Sequence, residues 1–422
     1  MTLENSVLFG YCVFSVSVLI LTVGSVRANR PALTVFLGFC FFYLCLRGVM
    51  LLTGAYGIFG ILHGGRTFDA TMIAKLLAIC VIGVTAVLVG YGRTSAAEFG
   101  RDSFKIMPQA SRHIAFLSVW LVCIVAMSLV GINASLNWSF SFVVLGAIYM
   151  LFFKPVYYPR IVPFVLGLVV LVFALGQTVE RRDWAIAAAA IALIAIMSQS
   201  QKLIRTTFLS TIMLAFIAFS AIMLRTGEDH SVSDTLSRIS TNSLLPIVEI
   251  ELDFPLVYDD LVILVDEVPR RTEHTYGRHF FKPFYSWIPR SVWPAKPDTI
   301  SRYYSENLNP GFYSGGGSEP ATFIGELYWN FSFFGVFFAA ALGFLIKRID
   351  TYWANGRDLL WKVNALVLAT MLFYLLRGPI DTFWLAFAFY FGAWFVVSCV
   401  YQVLEGSQVS NSLAQTKSNA IN

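Results

Sequence analysis

Charge is what this chain has least of. Of 422 residues only 13% are charged, against 57% hydrophobic and 16% aromatic, and the mean hydropathy is +0.69. A soluble chain of this size cannot hide so much apolar surface behind so few charges, so a bilayer must solvate most of it. A disulfide framework is also lacking. The six cysteines, Cys12, Cys40, Cys45, Cys80, Cys123 and Cys399, all fall in apolar segments and read as small packing residues. No zinc-type cysteine spacing, HExxH, Walker A, GxSxG or dinucleotide fingerprint is found, and no external DxD-like pair is placed to hold a metal-bound nucleotide sugar. The metal and cofactor expectation is therefore none. The net charge of +5 is too small to suggest nucleic acid. The first apolar run carries Glu4 where a cleavable signal peptide has a basic region, so it reads as a retained helix.

What is present is a series of apolar runs near the ~17–25 residues needed to cross hydrocarbon. They fall at Ser6–Val26, Ala32–Thr53, Thr71–Tyr91, Ile114–Ile132, Trp138–Phe153, Ile161–Thr178, Trp184–Ser198, Thr206–Leu224, Phe323–Ile346, Val363–Leu376 and Phe383–Leu404. The expectation is an all-α polytopic membrane protein with about eleven transmembrane helices. Basic residues concentrate in alternate loops: Arg27 and Arg30; Arg93, Arg101, Lys105 and Arg112; Lys154 and Arg160; Lys202 and Arg205; Lys347, Arg348, Arg357 and Lys362. By the positive-inside rule the N-terminus lies outside and the C-terminus in the cytoplasm, with Arg181 and Arg182 as the exception. The chain then divides into N-terminal helices (1–224), a large periplasmic loop (225–322), and C-terminal helices with a cytoplasmic tail (323–422). A loop of that length is too long for an idle connection. Val257, Leu261, Leu264, Val265 and Val268 share one helical face, which predicts an amphipathic helix lying on the membrane or on the protein.

Several residues in this frame could carry chemistry. Arg47 sits a turn or two short of the external end of the second span, where a cation is costly unless it snorkels or grips an anion such as phosphate. Arg377, beside Gly378–Pro379 at an external helix end, either anchors structurally with Asp381 or binds phosphate. The stretch 278–297, RHFFKPFYSWIPRSVWPAKP, gathers Arg278, Arg290, His279, Trp287 and Trp293 on a proline-stiffened backbone. Its aromatics form either faces for sugar rings or an interfacial belt. Histidine, with an ordinary pKa near about 6.5, makes His279 a candidate general base, the alternative being a surface loop residue. Glu326, just inside a predicted helix, is the other candidate base or else one half of a structural ion pair.

The strings IPRSVWPAKP (Ile288–Pro297), Glu319–Pro320 after a Ser/Gly tract, and GELYWNFSFFG (Gly325–Gly335) resemble the O-antigen polymerase (Wzy-type) or oligosaccharide repeat-unit polymerase family. That family is related in architecture to the O-antigen ligases, and the resemblance implies a GT-C-like fold. It implies transfer of a glycan from an undecaprenyl-pyrophosphate-linked donor to a lipid-linked acceptor, at the periplasmic face of the bacterial inner membrane and without metal. On this resemblance Glu326 or His279 is catalytic, and Arg47, Arg278, Arg290 and Arg377 hold pyrophosphate. Trp287, Trp293 and Tyr328 contact glycan, and a separate chain-length regulator is an implied partner. Arg290, Glu326 and Tyr328 are carried over from motif positions, while the other arginines rest on the physical argument. The competing readings are an O-antigen ligase, which shares the site and differs in acceptor, and a transporter, which would place its ionisable residues near the bilayer midplane.

Overall fold

The computed structural model describes residues 2–53, 69–92, 193, 254–286, 288–314, 322–355 and 359–380, with single positions between 383 and 399. The expected spans Ile114–Ile132, Trp138–Phe153, Ile161–Thr178, Trp184–Ser198 (apart from Leu193) and Thr206–Leu224 lie outside the described residues, as do Trp287 and most of Phe383–Leu404. Among the described residues all regular structure is helical. The elements are α1 (Leu3–Arg27), α2 (Pro31–Phe39), a π turn (Cys40–Leu46), α3 (Arg47–Leu52), α4 (Ala70–Tyr91), α5 (Phe254–Glu267), α6 (Ile300–Leu308), α7 (Pro310–Ser314), α8 (Phe323–Phe331), α9 (Gly335–Asn355) and α10 (Leu359–Arg377).

Four helical stretches are long and apolar enough to cross a membrane: Leu3–Arg27, Pro31–Leu52, Ala70–Tyr91 and Phe323–Asn355. Local chemistry sets their ends. Thr2 accepts from the Asn5 N–H to open α1, whose first turn holds Glu4 and whose last holds Arg27, both complementing the helix dipole. Pro31 opens α2. Asp69 accepts from Thr71 and Met72 to open α4, which stops at Gly92 with φ +68°.

The pair α4 and α9 pack backbone to backbone. A Cβ on Gly90 would lie 1.9 Å from the Ala340 carbonyl oxygen, and one on Gly343 would lie 2.0 Å from that of Val87. Only a hydrogen fits at either point, the small-residue logic of helix pairs in lipid. One end of the bundle is tied by Asp350 of α9. Its Oδ1 accepts from the Ala32 N–H at 2.8 Å, and its Oδ2 accepts from the Leu33 N–H at 3.3 Å and the Tyr91 hydroxyl at 3.1 Å. That buried carboxylate caps the first turn of α2. Arg27, Arg30, Lys347 and Arg348 gather at the same end, the basic pattern expected of a cytoplasmic face.

Two expectations change in form. The single span Phe323–Ile346 is broken at Ser332, where φ is +52°. Gly335 lies close enough to Leu327 that a Cβ would meet the Leu327 Cβ and carbonyl oxygen at 3.0 Å. Eight residues of straight helix would separate them by ~12 Å, so α8 turns sharply back from α9 instead of extending it. The amphipathic helix of the long loop is α5, but every residue from Val257 to Val265 is buried, Asp259 and Asp260 included. Its polar face is covered because the bundle supplies partners for it.

Candidate functional site

At the end of the bundle opposite Asp350, α5 is the element around which the buried polar groups gather. Arg47 opens α3 directly after the π turn and is fully buried. Its Nε and Nη2 donate to Oδ1 and Oδ2 of Asp259 at 3.4 and 3.3 Å, with side-chain exposures of 0% and 1%. This is a two-pronged guanidinium–carboxylate pair out of water. Burial pushes the Asp259 carboxyl up to about 7, while the charge of Arg47 and its hydrogen bonds pull the other way. Beside the pair, the Tyr258 and Tyr11 hydroxyls lie 2.6 Å apart, and the Tyr11 ring occupies the space a Cβ on Gly48 would need. Tyr304 of α6 donates to the Asp260 carbonyl at 3.0 Å, and Lys75 of α4 donates to that of Val265 at 2.8 Å. Helix α5 is thus fastened to α1, α3, α4 and α6 by named polar contacts.

On its other side α5 packs against α8, with Leu261 over Gly325. Glu326 of α8 is buried. Its Oε2 accepts from the Ile380 N–H at 2.9 Å, which places an acceptor at the start of the helical turn that follows Gly378–Pro379. Arg377, the last residue of α10, lies close enough to the Tyr43 hydroxyl to act on it electrostatically. Tyr43 lies in the π turn, four residues before Arg47. Glu326 thus bonds to the backbone three residues beyond Arg377, and the segment carrying Arg47 lies near the same break through Tyr43.

The loop is wired to α8 by Asn330. Asn330 Nδ2 donates to the Glu326 carbonyl at 2.8 Å, and its Oδ1 accepts from the Thr275 hydroxyl at 2.8 Å and the Phe280 N–H at 3.3 Å. The Thr275 N–H donates to the Trp329 carbonyl, and Trp329 Nε1 donates to that of Glu273. Tyr328 lines the inner side of α8, its hydroxyl donating to the Val268 carbonyl at 3.1 Å. These bonds bring His279 down onto the protein. It is 3% exposed, stacked on Tyr303 at 4.5 Å and 28°, with Nδ1 2.9 Å from the Asp298 carbonyl. A carbonyl only accepts, so Nδ1 carries the proton and a neutral ring keeps its basic lone pair on Nε2. His279 is not a surface loop histidine.

The other loop cations are placed differently. Arg290 is exposed. It donates to Asp298 Oδ1 at 2.6 Å and to the Lys296 carbonyl at 3.0 Å, and Lys296 in turn donates to the Ser286 and Ile288 carbonyls. Both side chains brace the turn that bears them. Arg278 and Trp293 are exposed on the same loop, Trp293 against Tyr285 at 5.2 Å. Arg377 and the backbone held by Glu326 thus stand at one helix break, Arg47 is locked to Asp259, and the contacts of Arg290 are with its own loop. Asp259, Asn330, Tyr43 and Tyr303 were not singled out from the sequence. An acid inside the apolar run LVYDDLVILV was the one signal available for Asp259.

No protein-family model, curated protein or solved structure matches this chain.

Proposed function

We propose that the protein joins glycans carried on polyprenyl pyrophosphate at the Arg47 end of its bundle, as a polymerase of lipid-linked oligosaccharide repeat units. In this reading the whole chain is an eleven-helix, GT-C-like enzyme of the bacterial inner membrane, with its site toward the periplasm. The observation that carries it is that Glu326 bonds to the backbone of the Gly378–Pro379 break, three residues beyond Arg377, while His279 is buried, stacked and hydrogen-bonded within the loop. Cations, a buried carboxylate and an oriented imidazole are what transfer from a pyrophosphate leaving group needs. The string resemblance of Ile288–Pro297 and Gly325–Gly335 supplies the substrate class.

The acceptor hydroxyl oxygen attacks C1 of the donor sugar as the bond from C1 to the phosphate oxygen breaks. The electron pair leaves on the pyrophosphate, whose charge Arg377, with Arg278 from the loop, neutralises. The hydroxyl proton passes to His279 Nε2, and the configuration at C1 inverts. Glu326 holds the helix start beside Arg377, and Arg47 acts through Asp259 by fixing α5 beneath the loop. A shallow apolar cleft between α4 and the α8–α9 corner, lined by Ile79, Gly83, Ile324, Leu327 and Phe333, offers a hydrocarbon tail an apolar surface at the side of the bundle.

The test incubates purified protein with a defined undecaprenyl-pyrophosphate-linked repeat unit, without divalent metal, and resolves the product on a gel. A ladder is expected from the parent protein and none from His279→Ala. Absence of a ladder from folded parent protein sinks the polymerase reading, and a product formed only when lipid A core is supplied shifts it to ligation.

A further inference from the structure

Helix α5 belongs by sequence to a loop outside the membrane, yet its contacts run down the side of α4 in order. At the outer end Arg270, just past α5, lies close enough to Asp69, the cap of α4, to act on it electrostatically. Further in, Lys75 donates to the Val265 carbonyl at 2.8 Å. Further still, Tyr258 stands within the same electrostatic reach of Cys80. Residue numbers fall along α5 as they rise along α4, in comparable steps. The two helices therefore lie side by side and antiparallel.

That register sets a depth. Cys80 lies ten residues after Ala70, which opens α4, and so ~15 Å from its outer end. At 22 residues, α4 is ~33 Å long and just spans the ~30 Å of hydrocarbon. Two other spans agree. Tyr11, whose hydroxyl is 2.6 Å from that of Tyr258, is eight residues after Leu3 at the outer end of α1, ~12 Å in. Arg47, bonded to Asp259, is five residues before Leu52 at the outer end of its span, ~8 Å in. Phe254, where α5 begins, is four residues further along than Tyr258, ~6 Å deeper again.

We infer that α5 is a membrane-inserted helix, with Tyr258 at the level of the middle of α4 and Glu267 near the outer boundary. The composition agrees. From Val257 to Val265 every residue except Tyr258, Asp259 and Asp260 is Val, Leu or Ile, and all nine are buried. A helix lying on the surface would keep its acids wet. An inserted one must pair them, and Arg47 is the partner of Asp259. The helical backbone meets its own hydrogen bonds, as hydrocarbon requires. The stretch 225–322 is then not wholly external. The loop that carries His279 leaves the bilayer from the outer end of α5, at Val268, whose carbonyl takes the Tyr328 hydroxyl. The inference stands or falls independently of glycan transfer.

Cross-linking and spin labelling of the full chain in lipid vesicles test it. With the other cysteines replaced, Tyr258→Cys should form a disulfide with native Cys80 under copper phenanthroline, so that tryptic fragments stay joined until reduced. Asp69→Cys and Arg270→Cys, both at exposed positions, should be bridged by a short bismaleimide. Benzoyl-phenylalanine in place of Tyr258 keeps a ring there and should yield adducts to α1 or α4 if the cysteine variant fails to fold. Depth is read at Val81, which adjoins Cys80 and is exposed on α4. A nitroxide on Val81→Cys should meet oxygen in preference to a water-soluble nickel chelate, the reverse of one on the exposed Glu273→Cys. Joining of the outer pair alone, with no adduct from position 258 to α1 or α4, overturns the inference. So does a Val81 nitroxide that meets nickel as freely as the one at Glu273, since α5 would then pack against α4 outside the hydrocarbon.

Discussion

Two sets of arginines stand at the same end of this bundle, and the fold uses them in opposite ways. Arg290 sits at the surface and bonds to the carbonyls and the carboxylate of its own turn. Arg47 is removed from water and bonds to an acid 212 positions away in sequence. The first pair is screened, and such pairs contribute ~0–1 kcal/mol. The second leaves a buried charge behind if either partner is removed, at a cost of about 3–5 kcal/mol. Proximity to the candidate site therefore says little about which cation the fold depends on. Burial of the partner says more.

The sharpest way to break this comparison is to delete the inner carboxylate. Asp259→Ala strands Arg47 and should destabilise the purified protein in detergent by about 3–5 kcal/mol, read as an early thermal melt and rapid tryptic cleavage of the loop. A variant that melts with the parent protein would mean that α5 is held by its apolar contacts alone.

The next largest effect concerns Glu326. Glu326→Gln keeps the shape of the side chain and loses the charge facing the Ile380 N–H. A charge-assisted hydrogen bond contributes ~1.5–3 kcal/mol and a neutral one ~0.5–1.5 kcal/mol, so about 1 kcal/mol of stability should go. Product formation should fall much further, because the helix turn that follows Arg377 is held less firmly. Full activity with the melt shifted as expected would reduce Glu326 to a helix cap.

An effect of similar size on stability comes from pH. Asp259 is held near about 7 in the folded protein, above the ~3.9 of an unfolded aspartate. The folded state therefore binds this proton more tightly than the unfolded chain does, even though Arg47 favours the carboxylate. The resulting stability is fully present below about pH 4 and is lost as pH rises through about 7. The parent should melt earlier at pH 8 than at pH 6, and Asp259→Asn should lack that component. Parallel profiles for the two proteins would assign the slope to another group.

How much of this was legible beforehand follows from the kind of signal each feature leaves. Spans read as Ser6–Val26, Ala32–Thr53, Thr71–Tyr91 and Val363–Leu376 appear as helices Leu3–Arg27, Pro31–Leu52, Ala70–Tyr91 and Leu359–Arg377. Hydropathy over ~20 residues is a local signal that needs no partner. The corner at Ser332 was not legible, since Ser332–Phe334 is as apolar as a helix interior and only the positive φ marks it. Arg47 was visible as a costly cation, but its partner was not. The same acid that pairs with it looked like the wet face of an amphipathic helix, and choosing between those readings needs the tertiary contact. Asn330 escaped for a similar reason: an amide shows its worth only through the three groups it joins.

The smallest predicted effect on stability belongs to Arg290, and it discriminates between two roles. If Arg290 binds pyrophosphate, as the resemblance implies, Arg290→Ala abolishes the ladder and Arg290→Lys restores part of it, since a lysine still offers a point charge to a phosphate. If it braces the loop, both variants behave alike. A lysine cannot reach the Lys296 carbonyl and Asp298 with the two arms that Arg290 now uses. The contacts of Arg290 favour the brace. Its ion pair is half exposed, so stability should change by no more than about 1 kcal/mol. The ladder should shorten without vanishing in both variants, with His279 held less firmly because the turn that carries Asp298 loosens. Complete loss of product in Arg290→Ala, with rescue by lysine and an unchanged melt, would return Arg290 to the phosphate and make the exposed cation the functional one.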